Sequence, residues 1–256
     1  RAQIEVAFDE YGRAGDLASD AMFQLGVSSP GDIEDMGIRR HALGVLADLA
    51  AIEWRNAEAA GLLRQLIAID EDAGDPTVET RLQVARLLAR EDDDVTRALA
   101  ELDQAEAELV VSTAIDPEDH PRLAALIAVR RAEVLWGADC TAEAFAAAQA
   151  AERLAVAAGI PELQRDVLVV LSHVHWDLWV QSWGPGDEGE WDEDTLEMVG
   201  GMPFAERGDA DLLAAAAATN RDAIERVDAL EGTALEEWSR RSIEWRIEQA
   251  AGDGDG

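Results

Sequence analysis

His173 and His175 flank Val174, and two imidazoles so close in sequence invite a metal ion. On a helix, residues two apart point about 200° away from each other. The pair could share one ion only on a strand, and the surrounding sequence is helical. His41 and His120 stand far away with no ligand spacing. An acidic run at 187–194 lacks the alternating acids, the central Gly and the closing Glu of an EF-hand loop, so it reads as a solvated loop. The Gly-Asp-Gly-Asp-Gly tail is too short for a calcium repeat. No metal is expected. Cys140 sits between Asp139 and Thr141, without the positive neighbour or His that makes a reactive thiolate. Neither Gly-x-Ser-x-Gly nor His-Glu-x-x-His occurs. All 21 Lys+Arg residues are arginine. A P-loop, a protein kinase site and a pyridoxal Schiff base each need a lysine and are excluded from this segment. The expectation is a protein that is not an enzyme and carries no cofactor.

Trp176, Trp179 and Trp183 recur at i, i+3 and i+7 and so form one helical stripe. Two readings compete: an aromatic platform for a peptide or small ligand, and packing beneath the irregular segment that follows.

The formal charge is −33 over 256 residues. One cause is a high-GC genome, which favours Arg and Ala, with adaptation to salt. The other is an acidic face that attracts a basic partner. Direct binding to nucleic acid is not expected, because phosphate contacts need a basic patch. No run approaches the ~18 apolar residues of a membrane span, and no secretory pattern opens the chain. The single cysteine fits a reducing cytoplasm. The start at Arg1 rather than Met points to a piece or a processed form.

The elements that must carry these residues are helices. A helical hairpin is expected over 2–25 with a bend at Gly12 to Gly15, then pairs at 33–54 with 57–71, 77–91 with 95–111, and 122–137 with 142–158. A fifth leading helix spans 162–183. Asp32 and Asp94 are candidate N-caps, Pro76 opens a first turn, and Asp92 to Asp94 form a turn. Gly159-Ile160-Pro161 breaks the chain. After an irregular loop, helices are expected at 209–230 and 233–250, the latter with Trp238 and Trp245 on one face. No alternating strand pattern of useful length appears, so the fold class is all-α.

A small residue recurs within the leading helices, at Ala47, Ala85, Ala132 and Ser172. The following helices answer with Ala59, Leu63 and Leu66, with Ala98, Leu102 and Ala105, and with Ala144, Ala148 and Ala151. A repeat of 38 to 47 residues built from helix pairs implies an α-solenoid. The unit AVRRAEVLWGADCTAEAFAAAQAAERLAVAAG, Ala128 to Gly159, resembles a tetratricopeptide repeat: Ala132, then Leu135, then Ala144 and Ala151 fall at the family's places. Arg81 to Val111 matches with one extra residue in its acidic turn, and Tyr11 with a Gly15-Asp16 turn makes a weaker first unit. The resemblance covers residues 1–183, with 184–251 an irregular loop plus capping helices and 252–256 a flexible acidic tail. The repeat is nearer about 40 residues than the family's usual ~34, and the signature aromatics are mostly absent. This long variant resembles the sensor arrays of bacterial signalling ATPases and multidomain transcriptional activators.

The resemblance implies a concave face lined by the leading helices. Carried over, its positions are Ile4, Phe8 and Tyr11; Gly44, Asp48 and Ala51; Leu82, Arg86 and Ala89; Val129, Glu133 and Trp136; Val169, His173 and Trp176. The partner-binding residues implied are Phe8, Tyr11, Asp48, Arg86, Glu133, Trp136, His173 and Trp176. The ligand implied is a peptide or protein, a basic one on the acidic-face reading. A sensor for a small molecule or peptide pheromone in the Trp-rich C-terminal part is the alternative. An active site in 184–208 and a self-assembling structural role stand further back. The oligomeric state is left open. If the acids reflect adaptation to salt, screening of self-repulsion should raise the melting temperature from low to molar salt. A flat melting temperature would count against that origin.

Overall fold

The computed structural model describes residues 13, 15–20, 33–90, 95–182 and 209–228, and among those from 33 onward eight helices follow one another. They are α1 (Ile33–Ile52), α2 (Asn56–Ala73), α3 (Val78–Leu88), α4 (Val95–Val111), α5 (His120–Gly137), α6 (Thr141–Ala158), α7 (Pro161–Gln181) and α8 (Ala210–Asp228). The fold is all-α, with helices packed in sequential adjacent pairs, as a helical hairpin array requires. The chain divides into two compact units, Arg1–Leu123 and Ala124–Gly256. The division falls inside the expected repeat region.

In the first unit α1 packs on α2, α2 on α3 and α3 on α4. The small residues are where close approach is needed: Ala47, Ala59, Ala85, Ala98 and Ala105 are all buried, most of them at 0% exposure. The helix over 15–20 also comes close, since a Cβ on Gly15 would lie 2.8 Å from Leu49 Cδ1. That overturns the expected Gly15-Asp16 turn, for both residues are helical. α2 ends at Gly74, whose φ of +77° lets Asp75 N–H reach Asp70 C=O at 2.9 Å. Pro76 precedes the N-cap Thr77 rather than entering the helix.

α3 is buried on nearly every side, and its polar residue Arg81 goes in with it. Arg81 donates to Glu101 at 2.9 Å, Gln104 at 2.5 Å and Thr77 Oγ1 at 3.0 Å, and to Glu71. Glu101 also accepts from Arg64 at 3.0 Å. Glu108 accepts from Thr77 N–H at 2.7 Å and from its hydroxyl, holding the start of α3 from the side of α4. A buried charge is tolerable when its donors are met in this way.

In the second unit one seam is almost purely alanine. Ala144, Ala148, Ala151 and Ala155 of α6 pack with Ala125, Val129 and Ala132 of α5, and with Leu163, Val167, Val170, Leu171 and Val174 of α7. α5 begins at His120, two residues earlier than expected, with Pro121 in its first turn, where a missing N–H costs nothing. α8 pairs with α7. Its N-cap Asp209 accepts from Asp211 N–H at 2.8 Å, while Asp209 N–H donates to Ser182 at the end of α7 at 2.7 Å. The expectations for Asp32, Asp94, the 187–194 loop, the 233–250 helix and the tail lie outside the described residues.

Replacing Arg81 by Ala leaves Glu101, which is about as buried as Arg81 itself, with Arg64 as its remaining ion-pair partner. The expected loss is about 1–3 kcal/mol, read from the midpoint of a urea unfolding curve. A loss below about 0.5 kcal/mol would mean that the network behaves like a surface ion pair.

Candidate functional site

α5 and α7 are the leading helices of successive hairpins, and they share a core in the second unit. Because residues three and four apart share a helical face, Glu133 and Trp136 project together from α5, as do His173 and Asp177 from α7. The Trp136 ring stacks on His173 with centroids 4.5 Å apart and planes 28° apart. Its indole Nε1–H donates to Asp177 at 2.6 Å. Glu133 accepts from Arg130, one turn earlier on α5. His173 is buried, while Arg130, Glu133, Trp136 and Asp177 are half-buried. The indole is thus fixed by stacking and by a charge-assisted hydrogen bond, yet keeps part of its surface in solvent. The cluster brings together a fixed aromatic ring, two carboxylates and a guanidinium.

The remaining candidates fall elsewhere. Asp48 is exposed on α1 and Arg86 is exposed on α3. Leu82 and Val129, carried over as groove positions, are core residues at 4% and 1% exposure. Trp176 is 8% exposed and belongs to a separate cluster. It meets Trp179 edge-on at 4.7 Å, and both pack against Leu213 and Ala216 of α8. These two tryptophans pack, but against the helix α8, while the irregular segment of the packing reading lies outside the described residues. Phe8, Tyr11 and Trp183 lie outside the described residues.

Asp177 was not among the sequence candidates. Its signal was present, since it stands four residues after His173 on the same face. Arg81 and Glu101 were missed too, though each stands four residues before a seam alanine, Ala85 and Ala105, and so shares its inward face.

The two histidines of α7 part as helical spacing requires. His173 faces Trp136, whereas His175 faces Phe145 at 5.0 Å and Thr219 of α8 at 2.9 Å. Thr219 donates its only hydroxyl proton to Ala215 C=O at 2.9 Å. Its oxygen therefore accepts from His175 Nδ1–H, and Nε2 is the site where a proton would add. Burial pushes the His175 pKa below the ordinary imidazole value. Among the described residues, no three His, Cys, Asp or Glu side chains converge as metal ligands, and no helix is long and apolar enough to cross a membrane.

No family model, curated protein or solved structure matches this chain.

The depressed His175 pKa has a definite sign. The unfolded state takes up a proton first, so stability is full above about pH 6.5 and is lost as pH falls through the folded-state pKa. Measured by urea unfolding from about pH 7 to about pH 5, the wild type should lose stability relative to His175→Gln, which keeps a donor for Thr219. Parallel pH profiles would show that His175 contributes nothing to this dependence.

Proposed function

We propose that this chain is a protein-interaction module of the tetratricopeptide type that holds a peptide or protein along the face of its leading helices. The sequential helix pairs supply the frame. The observation that carries the reading is the Trp136 cluster. Two leading helices set a stacked indole, two carboxylates and an arginine side by side at partial exposure. Tryptophan and arginine dominate the energetics of protein interfaces, and a pre-positioned indole loses little freedom on binding. On this reading the module is the sensor or scaffold part of a larger cytoplasmic regulator. Ligand bound across α5 and α7 would bias how those helices pack.

The experiment is affinity capture from the source extract with wild type and with Trp136→Ala and Trp136→Phe, followed by quantitative mass spectrometry. A specific partner should fall at least tenfold with Trp136→Ala, about the 1.4 kcal/mol that marks an interface hot spot. Trp136→Phe keeps the stack on His173 but loses the donor to Asp177, so it should fall between. Circular dichroism should be unchanged in both. Equal recovery with all three proteins would sink the assignment of this face. Trp176→Ala is not an equivalent probe, because it truncates a core residue and should cost about 3–5 kcal/mol of stability.

A further inference from the structure

Trp54 sits in the turn between α1 and α2, and two features of it run against folding. It is 76% exposed. Its φ is +61°, in the left-handed region that a side chain with a Cβ rarely enters. The turn is a helix-terminating cap: Trp54 N–H donates to Ala51 C=O at 3.1 Å, and Arg55 N–H to Ala50 C=O at 2.8 Å. The same cap ends α5, with Asp139 at φ +57°. Glycine occupies the left-handed position after α2 and α6, at Gly74 and Gly159. Asp tolerates that conformation and Gly prefers it, whereas tryptophan gains nothing from it. A large apolar side chain held in water on a strained backbone points to a use outside the fold.

What surrounds Trp54 says what the use is. Arg90 lies 5.7 Å from its ring centroid, a cation–π contact that steadies the ring. Its chain neighbours Glu53 and Arg55 line a cleft of about 470 Å³, together with Gly15, Asp16, Leu49 and Glu58. Leu46, Ile52 and Leu62 add to its apolar lining. The rim carries the carboxylates of Asp16, Glu53 and Glu58 against one guanidinium, that of Arg55. Arg55 bonds both Glu53, at 2.6 and 2.9 Å, and Glu58, which fixes the two acids at the mouth. The lining is therefore partly apolar and net negative, on a chain of charge −33. A second copy of so acidic a chain, or an acidic peptide, would meet like charge there. A cationic, amphipathic segment meets complementary charge.

We propose that Trp54 and the adjoining cleft dock a basic amphipathic segment of a partner protein, with its aliphatic part against Trp54 and the cleft's leucines and its Lys or Arg held by Asp16, Glu53 and Glu58. This surface belongs to the first unit alone and does not depend on the Trp136 face.

The test uses the full chain on a random-peptide array, comparing wild type with Trp54→Gly, Glu53→Gln/Glu58→Gln and Trp136→Ala. Trp54→Gly leaves the net charge untouched and places the preferred residue in the cap, so its melting temperature should hold or rise. Wild type should enrich peptides that pair Lys or Arg with an aliphatic neighbour. Trp54→Gly and Glu53→Gln/Glu58→Gln should lose at least tenfold of that enrichment, and Trp136→Ala should keep it. The proposal is overturned if no basic enrichment appears, or if Trp54→Gly retains it, since attraction would then be a property of overall charge. It is equally overturned if wild type dimerises at the assay concentration and Trp54→Gly does not, which would make Trp54 a contact between copies of this chain.

Discussion

Close approach between helices is the constraint on which the rest of this structure depends, and alanine provides it. Where Ala144, Ala148, Ala151 and Ala155 line α6, nothing beyond a Cβ separates that helix from its neighbours. Each alanine buries little apolar area, so an individual contact contributes little. The seam's contribution is geometric: it lets the larger Leu and Val residues of α7 reach a shared core, and it loses no side-chain entropy on burial. The same logic governs Ala47, Ala59, Ala85, Ala98 and Ala105 in the first unit. A larger residue on such a seam would have to push the backbones apart.

Charge is handled by a second device. A chain of net charge −33 repels itself, and three of its described arginines bridge different helices or their ends. Arg81 joins α2, α3 and α4 through Glu71, Glu101, Gln104 and Glu108. Arg40 ties α1 to Asp70 at 2.8 Å and to Asp75 at 2.6 Å, and Arg122 reaches Glu79 at 2.7 Å. The half-exposed pairs among them add little individually. Arg81 differs because it is itself buried together with Glu101, and directional hydrogen bonds select one register of α3 against α4 where apolar packing would tolerate several.

The tryptophans separate by environment rather than by residue type. Trp179, at 0% exposure, is core and Trp176 nearly so, because α8 folds back over them. Trp136 is half-buried and fixed by Asp177 and His173. Trp54 is in water with its backbone strained. Among the described tryptophans, these last two keep indole surface in solvent, and both stand beside an arginine.

Helical periodicity, the alanine spacing and the break at Gly159 are local properties. The chain therefore determined by itself that it is all-α, that its helices come in hairpins, and which small residues face inward. The divergence of His173 and His175 was equally legible, because the angle between residues two apart depends only on the helix. Tertiary structure decided which outward positions meet another element. Nothing local distinguishes Trp136 from Trp176; one finds Asp177 across α5 and α7, and the other is closed over by α8, which follows at a distance along the chain. Nothing local marks Trp54, a good residue for a helix or a turn, as held at positive φ. That conformation comes from ending α1 where α2 must begin, and the hairpin's packing outweighs the preference of one side chain.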